Sequence, residues 1–343
     1  MAEKGTMCLT MKDWLGLRNP DQSIAAPIEA LNEVNEIKDD MLFREANGST
    51  AHRTTIRTGL PDVAWRLLNY GVPQSKSTTM QVDDRMGILE TWSKVDAKLV
   101  ELEGEKRQFM FTEERPFLES MTQEAVRTLF YGSLENEPAS FVGIAARYGS
   151  TDTASYAAAE NVIDHGGAAG DTDLTSVYLM TWGDNTAHMI YPRGTPMGLT
   201  RTLVSGGEKV PLQDENGNEY LGYKTNYSWN LGFSLRDWRS CGRICNIKVS
   251  DKDDMVVNGA TSQRLVNEMV DLTYRIPETV KRSGKTIWYA RREILTMLHI
   301  MAKDKNNVDL TIATFDGKPV TLIQGIPIHQ CDAIENGEEH VSA

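Results

Sequence analysis

The stretch spanning residues 42–99 constrains this chain most, because it strings strand-like runs between Gly and Pro breaks and cannot bury itself. Residues 52–58 are β-branched and basic, and residues 62–69 carry a Trp and two Leu. Residues 76–84 then alternate Thr, Met and Val with polar side chains, and residues 86–99 continue in the same way. Breaks at Gly59–Pro61, Gly71–Pro73 and Gly87 predict a long hairpin or a pair of hairpins. A ribbon of two strands is marginal in water by itself. This one has too few apolar residues for a core of its own, so it is expected to lie against a neighbouring copy of the same protein. Arg53, Arg57 and Arg66 read either as a solvated strand face or as partners for acidic residues of that neighbour. On the second reading Trp65, Leu67 and Leu68 supply the buried centre of the contact, where aromatics and Arg are favoured.

The N-terminal residues are mixed, and the first 23 read as an extended arm. Pro27 suits the first turn of a helix. Beyond it Ile28, Leu31, Val34 and Ile37 recur every three residues, opposite Glu29, Glu33, Glu36 and Asp40. That stripe either packs on its own domain or lies over an adjacent subunit.

A helix is expected from Thr112 to Tyr131, with Thr112 as N-cap, Glu113 and Glu114 at the positive end of the dipole and Pro116 near the first turn. Phe117, Met121, Ala125 and Leu129 repeat every four residues, and Gly132 is the stop. Such a helix is roughly 27 Å long, enough to cross a domain. Residues 150–173 read as a Gly-rich loop. Residues 175–182 read as a buried strand, joined through GDN to a second at 186–191. Long antiparallel strands are expected over 220–249, with a turn at DENGNE, and an acidic loop over 250–259. A helix capped by Thr261 or Ser262, a strand at 285–290, a helix over 291–302 and strands over 308–314 and 319–334 follow. A frayed polar tail ends the chain. This order predicts an α+β fold with mostly antiparallel sheets, not the regular βαβ alternation of a doubly wound one.

The formal charge of -12 argues against a protein that coats nucleic acid, though a local basic strip stays open. Like-charged surfaces also keep subunits apart before assembly. With 40% hydrophobic and 24% charged residues, a folded soluble protein is expected. No apolar run suits a membrane helix, and the first residues lack a signal core.

Chemical motifs are weak. Ser283-Gly284-Lys285-Thr286 resembles the end of a phosphate-binding loop, but position 279 is Thr where the pattern needs Gly. Cys241 and Cys245 lack a second ligand pair for zinc and read as reduced, packed thiols. None of the six histidines has metal-site spacing, and His299 reads as a packed or capping residue. No catalytic, cofactor-binding or metal residues are assigned, and no cofactor is expected.

The run LNEVNEIKDDMLFREANGSTAHRTTIRTGLPDVAWRLLNYGV with KSTTMQVDD resembles the major capsid proteins of tailed bacteriophages. TLFYGS, F-x-G-I-A-x-R-Y at residues 141–148 and GIPIHQCDAI at residues 325–334 add to the likeness. The resemblance covers about residues 25–334. It implies the shell-forming fold of the Hong Kong group of lambdoid phages. By that likeness residues 1–48 are an N-terminal arm and 49–109 an extended β-hairpin loop. Residues 110–173 are a spine helix and part of a peripheral domain. Residues 174–334 are an axial domain with returning peripheral strands, and 335–343 a C-terminal tail. The implied role is self-assembly into hexamers and pentamers of an icosahedral head around double-stranded DNA, built in the host cytoplasm. The implied partners are the chain itself, a scaffold, a portal and a decoration protein, with weak non-specific DNA contact and no membrane. The Lys–Asn crosslink of some relatives cannot be matched here. The subunit-interface candidates are Arg53, Arg57, Trp65, Arg66, Leu67, Leu68, Ile28, Leu31 and Val34. A cellular encapsulating shell of the same fold and a soluble enzyme are the alternatives.

Overall fold

The computed structural model describes residues 33–103, 106–214, 217–251, 259–302, 310–315 and 318–342. Two compact units are present: one gathers Ile88–Ala125 and Gly198–Asn230, the other Val34–Gly87, Val126–Met197 and the chain from Leu231 onward.

The larger unit is built on the strand Leu174–Trp182, all of whose residues are buried. Its run of β-branched, aromatic and long apolar side chains suits a strand covered on both faces. Cys241–Lys248 and Lys285–Ala290 flank it, both antiparallel. Ile326–Gln330 then lies parallel to Lys285–Ala290, followed by Lys318–Ile323 and Leu310–Phe315, each antiparallel to the last. Strand alternation sends Val177 and Leu179 to one face. There they join Ile244 and Trp288 under helices Gly259–Arg275 and Arg292–Met301, which contribute Leu265, Met269, Leu272, Ile294 and Leu298. Gly242 permits this closeness, since a Cβ there would lie 2.6 Å from the Leu272 side chain. Ser176 and Tyr178 point the other way, and the Tyr178 ring sits 5.0 Å from that of Phe130.

In the smaller unit Thr200–Leu203 and Val210–Gln213 pair antiparallel with the first part of strand Glu219–Leu235. The turn expected at DENGNE is closed by Asp214 N–H donating to the Asn218 carbonyl at 3.0 Å. Val95, Leu99, Val100, Phe109, Met110 and Tyr223 form its core. Glu114 is buried and accepts from Arg201 Nη2 at 2.9 Å and Thr225 Oγ1 at 2.9 Å.

Several local expectations are corrected. The long helix runs Lys106–Tyr131, so Thr112 is an interior residue rather than the N-cap, and Pro116 lies inside the helix. Phe109 and Met110, buried in the smaller unit, carry the helix back past the expected start. Likewise Gly259–Arg275 begins before Thr261 and Ser262. Ala187–Tyr191 is not the second arm of a hairpin. It is parallel to Leu174–Trp182, meets it only at Trp182↔Ala187, and pairs with residues 232–235 and with Phe43–Glu45. Those two partners capture its edges, so it cannot fold back on the strand before it.

The tail is not frayed. The N–H groups of Gly337 and Glu338 donate to the Leu174 carbonyl at 2.8 and 2.9 Å. Asn246 brackets Val341 through Nδ2–H to its carbonyl (2.9 Å) and Oδ1 from its N–H (3.0 Å). Glu338 and Val341 are buried. In the arm, Ile28 and Leu31 lie outside the described residues. Val34 precedes the short helix Ile37–Asp40 instead of riding a helical stripe, because its N–H and carbonyl pair with Asp332 at 3.2 and 3.1 Å.

Candidate assembly interface

Ala51–Gly59 and Thr78–Asp96 form an antiparallel ribbon in register from Ala51↔Arg85 to Arg57↔Thr79, with a shift before Gly59↔Thr78. The expected hairpin is therefore present. The strand character expected over residues 62–69 is not: residues 60–77 form a tip without strands. Pro61 and Pro73 have no N–H for a ladder, and Asn69, at φ +70°, closes a turn in which Tyr70 N–H donates to the Leu67 carbonyl at 3.2 Å. Ser75 Oγ reaches the Asp62 carbonyl at 2.8 Å across the tip.

The tip is apolar, and nothing among the described residues covers it. Trp65 is fully exposed, at 104%, and Leu60, Val63, Leu67, Leu68 and Tyr70 are all exposed as well. Scattered apolar side chains on a surface are ordinary, but a contiguous group on a projection marks a contact. Of the three predicted arginines, Arg53 already has a partner: Nε and Nη2 each donate to Asp83 at 2.7 Å, across the ribbon. Arg57 and Arg66 are exposed. Val34 is half-exposed.

The root of the ribbon is fixed by buried polar groups that the sequence did not flag. Asp84 is buried and accepts from Arg147 Nη2 and Ser234 Oγ, each at 2.8 Å. Gly232 lets the neighbouring strand approach, as a Cβ there would lie 2.8 Å from the Arg85 carbonyl. His52 and His188 meet edge to face, 6.0 Å apart, with Arg236 Nη2 3.3 Å from His52 Nε2. Burial pushes His188 down to about 4, and the charge of Arg236 adds to the effect. In an unfolded chain this group titrates near 6.5. Between those values the unfolded state binds the proton and the folded state does not, so stability falls as pH falls from about 6.5 to about 4. At pH 5 the loss from this one group is about 2 kcal/mol. Urea midpoints at pH 7 and pH 5 test this: His188→Gln should shrink the difference, and an unchanged difference contradicts the assignment.

The other motifs are occupied structurally. Lys285 Nζ donates to Asp40 Oδ1 at 2.6 Å, and Thr286 Oγ1 lies 3.0 Å from Thr181 Oγ1, so neither is set to cradle a phosphate. Asp40 also accepts from Tyr289 and His329; burial pushes its carboxyl up, but His329 and Lys285 bring it below the usual range. Cys241, Cys245 and Cys331 are buried thiols outside any disulfide among the described residues, and burial pushes the first two up to about 12, away from the thiolate a metal would need. His299 Nδ1 sits 3.0 Å from Thr321 Oγ1, as a packed histidine. Among the described residues no group of three His, Cys, Asp or Glu side chains gathers as a metal site. No described helix is long and apolar enough to cross a membrane.

A family model described as Major capsid protein GP7 matches residues 19–342. The chain is similar to one in the cryo-EM structure of bacteriophage Epsilon15, at 30% identity and a TM-score of 0.77, covering 100% of both chains. Two further similarities are fainter. A capsid chain of the native GTA particle shares 8% identity, with 67% and 95% of the two chains covered and a TM-score of 0.46. A chain of the holo-SrpI encapsulin complex of Synechococcus elongatus shares 10%, with 71% and 97% covered and a TM-score of 0.42. No curated protein sequence matches.

Proposed function

The chain belongs to the major capsid protein GP7 family, and from that premise we propose that the ribbon tip is the surface by which each copy grips the next. It is the major capsid protein of a tailed-phage head, a structural component of the virion and not an enzyme, and it assembles with itself into the capsid lattice. The finer reading is that copies form hexamers and pentamers closing an icosahedral shell around double-stranded DNA. Residues 1–48 act in it as an arm, 49–109 as the extended loop, 110–173 as spine helix with part of a peripheral domain, 174–334 as an axial domain with returning strands, and 335–343 as the tail. A scaffold, a portal and a decoration protein are its further partners.

One observation carries the reading: Trp65, Leu67 and Leu68 are exposed on a tip that nothing among the described residues covers. A ring closes when a patch on one copy meets a different patch on the next, and a projecting tip is such a patch. Ile28, Leu31 and Val34 of the arm are candidates for the same use, as is Arg66 beside Trp65. Cryo-EM of the particles tests the proposal. Each tip should be buried against an adjacent copy, with the Trp65 ring out of solvent. Tips that project free from both shell surfaces overturn it.

A further inference from the structure

We infer that the cleft at the foot of the ribbon is a carboxylate-binding site that receives an acidic segment of the next copy in the shell. The inference rests on the shell reading above and adds a second contact to it, with its own chemistry. The cleft has a volume of about 830 Å³. Residues Arg53 to Leu60 form one wall, and Asn185 with residues 236–239 forms the other. Four guanidinium groups line it, against the one carboxylate of Asp237.

Two of the four are already neutralised. Arg53 holds Asp83 on the facing strand. Arg239 holds Asp237, with Nε and Nη2 donating at 3.0 and 2.8 Å. The nearby carboxylate of Asp184 is gripped by Arg44. Arg57 and Arg236 are left. The contacts of Arg236 are to neutral groups: Nη2 lies 3.3 Å from His52 Nε2, and Nη1 donates to Asn185 Oδ1 at 3.4 Å. Its Nε is buried and has no partner. Burial and the Arg236 charge hold His52 and His188 below their usual values, so both imidazoles stay uncharged at neutral pH and leave the guanidinium charge as it is. Among the described residues neither Arg57 nor Arg236 makes an ion pair with a carboxylate, and only the charge of Asp184, already gripped by Arg44, reaches Arg236, in a chain whose formal charge is -12. Planar guanidinium forks select carboxylate or phosphate.

The position of the cleft decides between those sources. Its wall ends at Leu60, the first residue of the apolar tip. A partner covering the tip reaches the cleft as well, and a DNA backbone offers nothing to Trp65, Leu67 and Leu68. A second copy offers apolar surface and a surplus of acidic side chains together. Pairing Arg57 and Arg236 with those carboxylates also offsets the repulsion that subunits of this charge feel as they approach.

Arg57 is exposed and outside the root, so Arg57→Glu should leave the monomer's circular dichroism unchanged and raise the concentration needed for shell formation at least tenfold. Arg57→Ala should flatten the decline of wild-type assembly with rising salt. A benzophenone amino acid at Thr55, on the same ribbon face, should crosslink in particles to an Asp- or Glu-bearing peptide of another copy. Isotope mixing of two subunit pools distinguishes that from a crosslink within one chain. Crosslinks to DNA, crosslinks only within a chain, or wild-type assembly by Arg57→Glu overturn the inference. Because these variants keep the tip, normal assembly here together with failed assembly on tip removal dismisses the cleft alone. Normal assembly in both dismisses the tip contact too.

Discussion

Replacing residues 60–77 by a two-residue Asn-Gly turn leaves a folded chain that makes no shells. The register supports the substitution, because Gly59 and Thr78 are paired where the new turn must join them and a two-residue link suits antiparallel strands. The monomer loses almost nothing. The tip's apolar side chains are exposed, and its recorded hydrogen bonds, Tyr70 to Leu67 and Ser75 to Asp62, are internal to it. Shortening the loop lowers its closure entropy by about 2 kcal/mol, which favours the folded chain. The shell loses much more. Burying Trp65, Leu67 and Leu68 against a neighbour is worth ~1.5–3 kcal/mol each, so removing all three weakens each contact by on the order of 5 kcal/mol. That is more than a thousandfold in association, at ~1.4 kcal/mol per factor of ten. Sedimentation and electron microscopy should show no particles, while the urea midpoint stays the same or rises. Particles of normal size and yield contradict the role given to the tip. Trp65→Ser by itself should raise the assembly threshold roughly 10- to 100-fold by the same arithmetic.

The sequence made the ribbon legible because period-2 alternation with Gly and Pro breaks is a local signal. The central strand at Leu174–Trp182 is legible through a different local signal, a run dense in β-branched, aromatic and long apolar residues. What local pattern could not carry was pairing. GDN before Ala187 looks like a hairpin turn, yet Ala187–Tyr191 finds its partners at residues 43–45 and 232–235, far away in the chain. Nor could it give charge bookkeeping in three dimensions. From the sequence Arg53 reads either as a solvated strand face or as a partner for a neighbour's acid, whereas its bidentate partner Asp83 lies across the ribbon and is fixed only by register. Arg236, which helps line the cleft, carries no motif at all. The acidic, Gly-bearing end around residue 337 has the composition of a loose tail, and composition misled there. Its order comes from single residues reaching buried partners rather than from any repeat.

Among those residues Glu338 is the one whose loss should destabilise the fold most. Its carboxylate accepts from Arg243 Nη2 at 2.7 Å and also from Ser176 Oγ and the Tyr131 hydroxyl. Arg243 is only 4% exposed, and its other donors go to Ser176 Oγ at 3.0 Å and the Tyr148 carbonyl at 3.2 Å. Burial also pushes the Tyr131 and Tyr178 hydroxyls up, so both stay protonated around the acid. Glu338→Ala removes the counter-charge and leaves a guanidinium stranded beside the central strand. Breaking a buried pair from one side costs about 3–5 kcal/mol, because the remaining charge stays desolvated. Glu338→Gln keeps an acceptor for the hydroxyls and should lose less. The double change Arg243→Met with Glu338→Leu removes both charges together and should recover much of the loss, since apolar replacement of a buried pair is often neutral. Urea unfolding of wild type and these three variants tests that ordering. Tail release is read separately by carboxypeptidase, which should trim Glu338→Ala faster than wild type. If Glu338→Ala unfolds within about 0.5 kcal/mol of wild type, as an ordinary surface change would, the buried Arg243–Glu338 pair does not stabilise the fold.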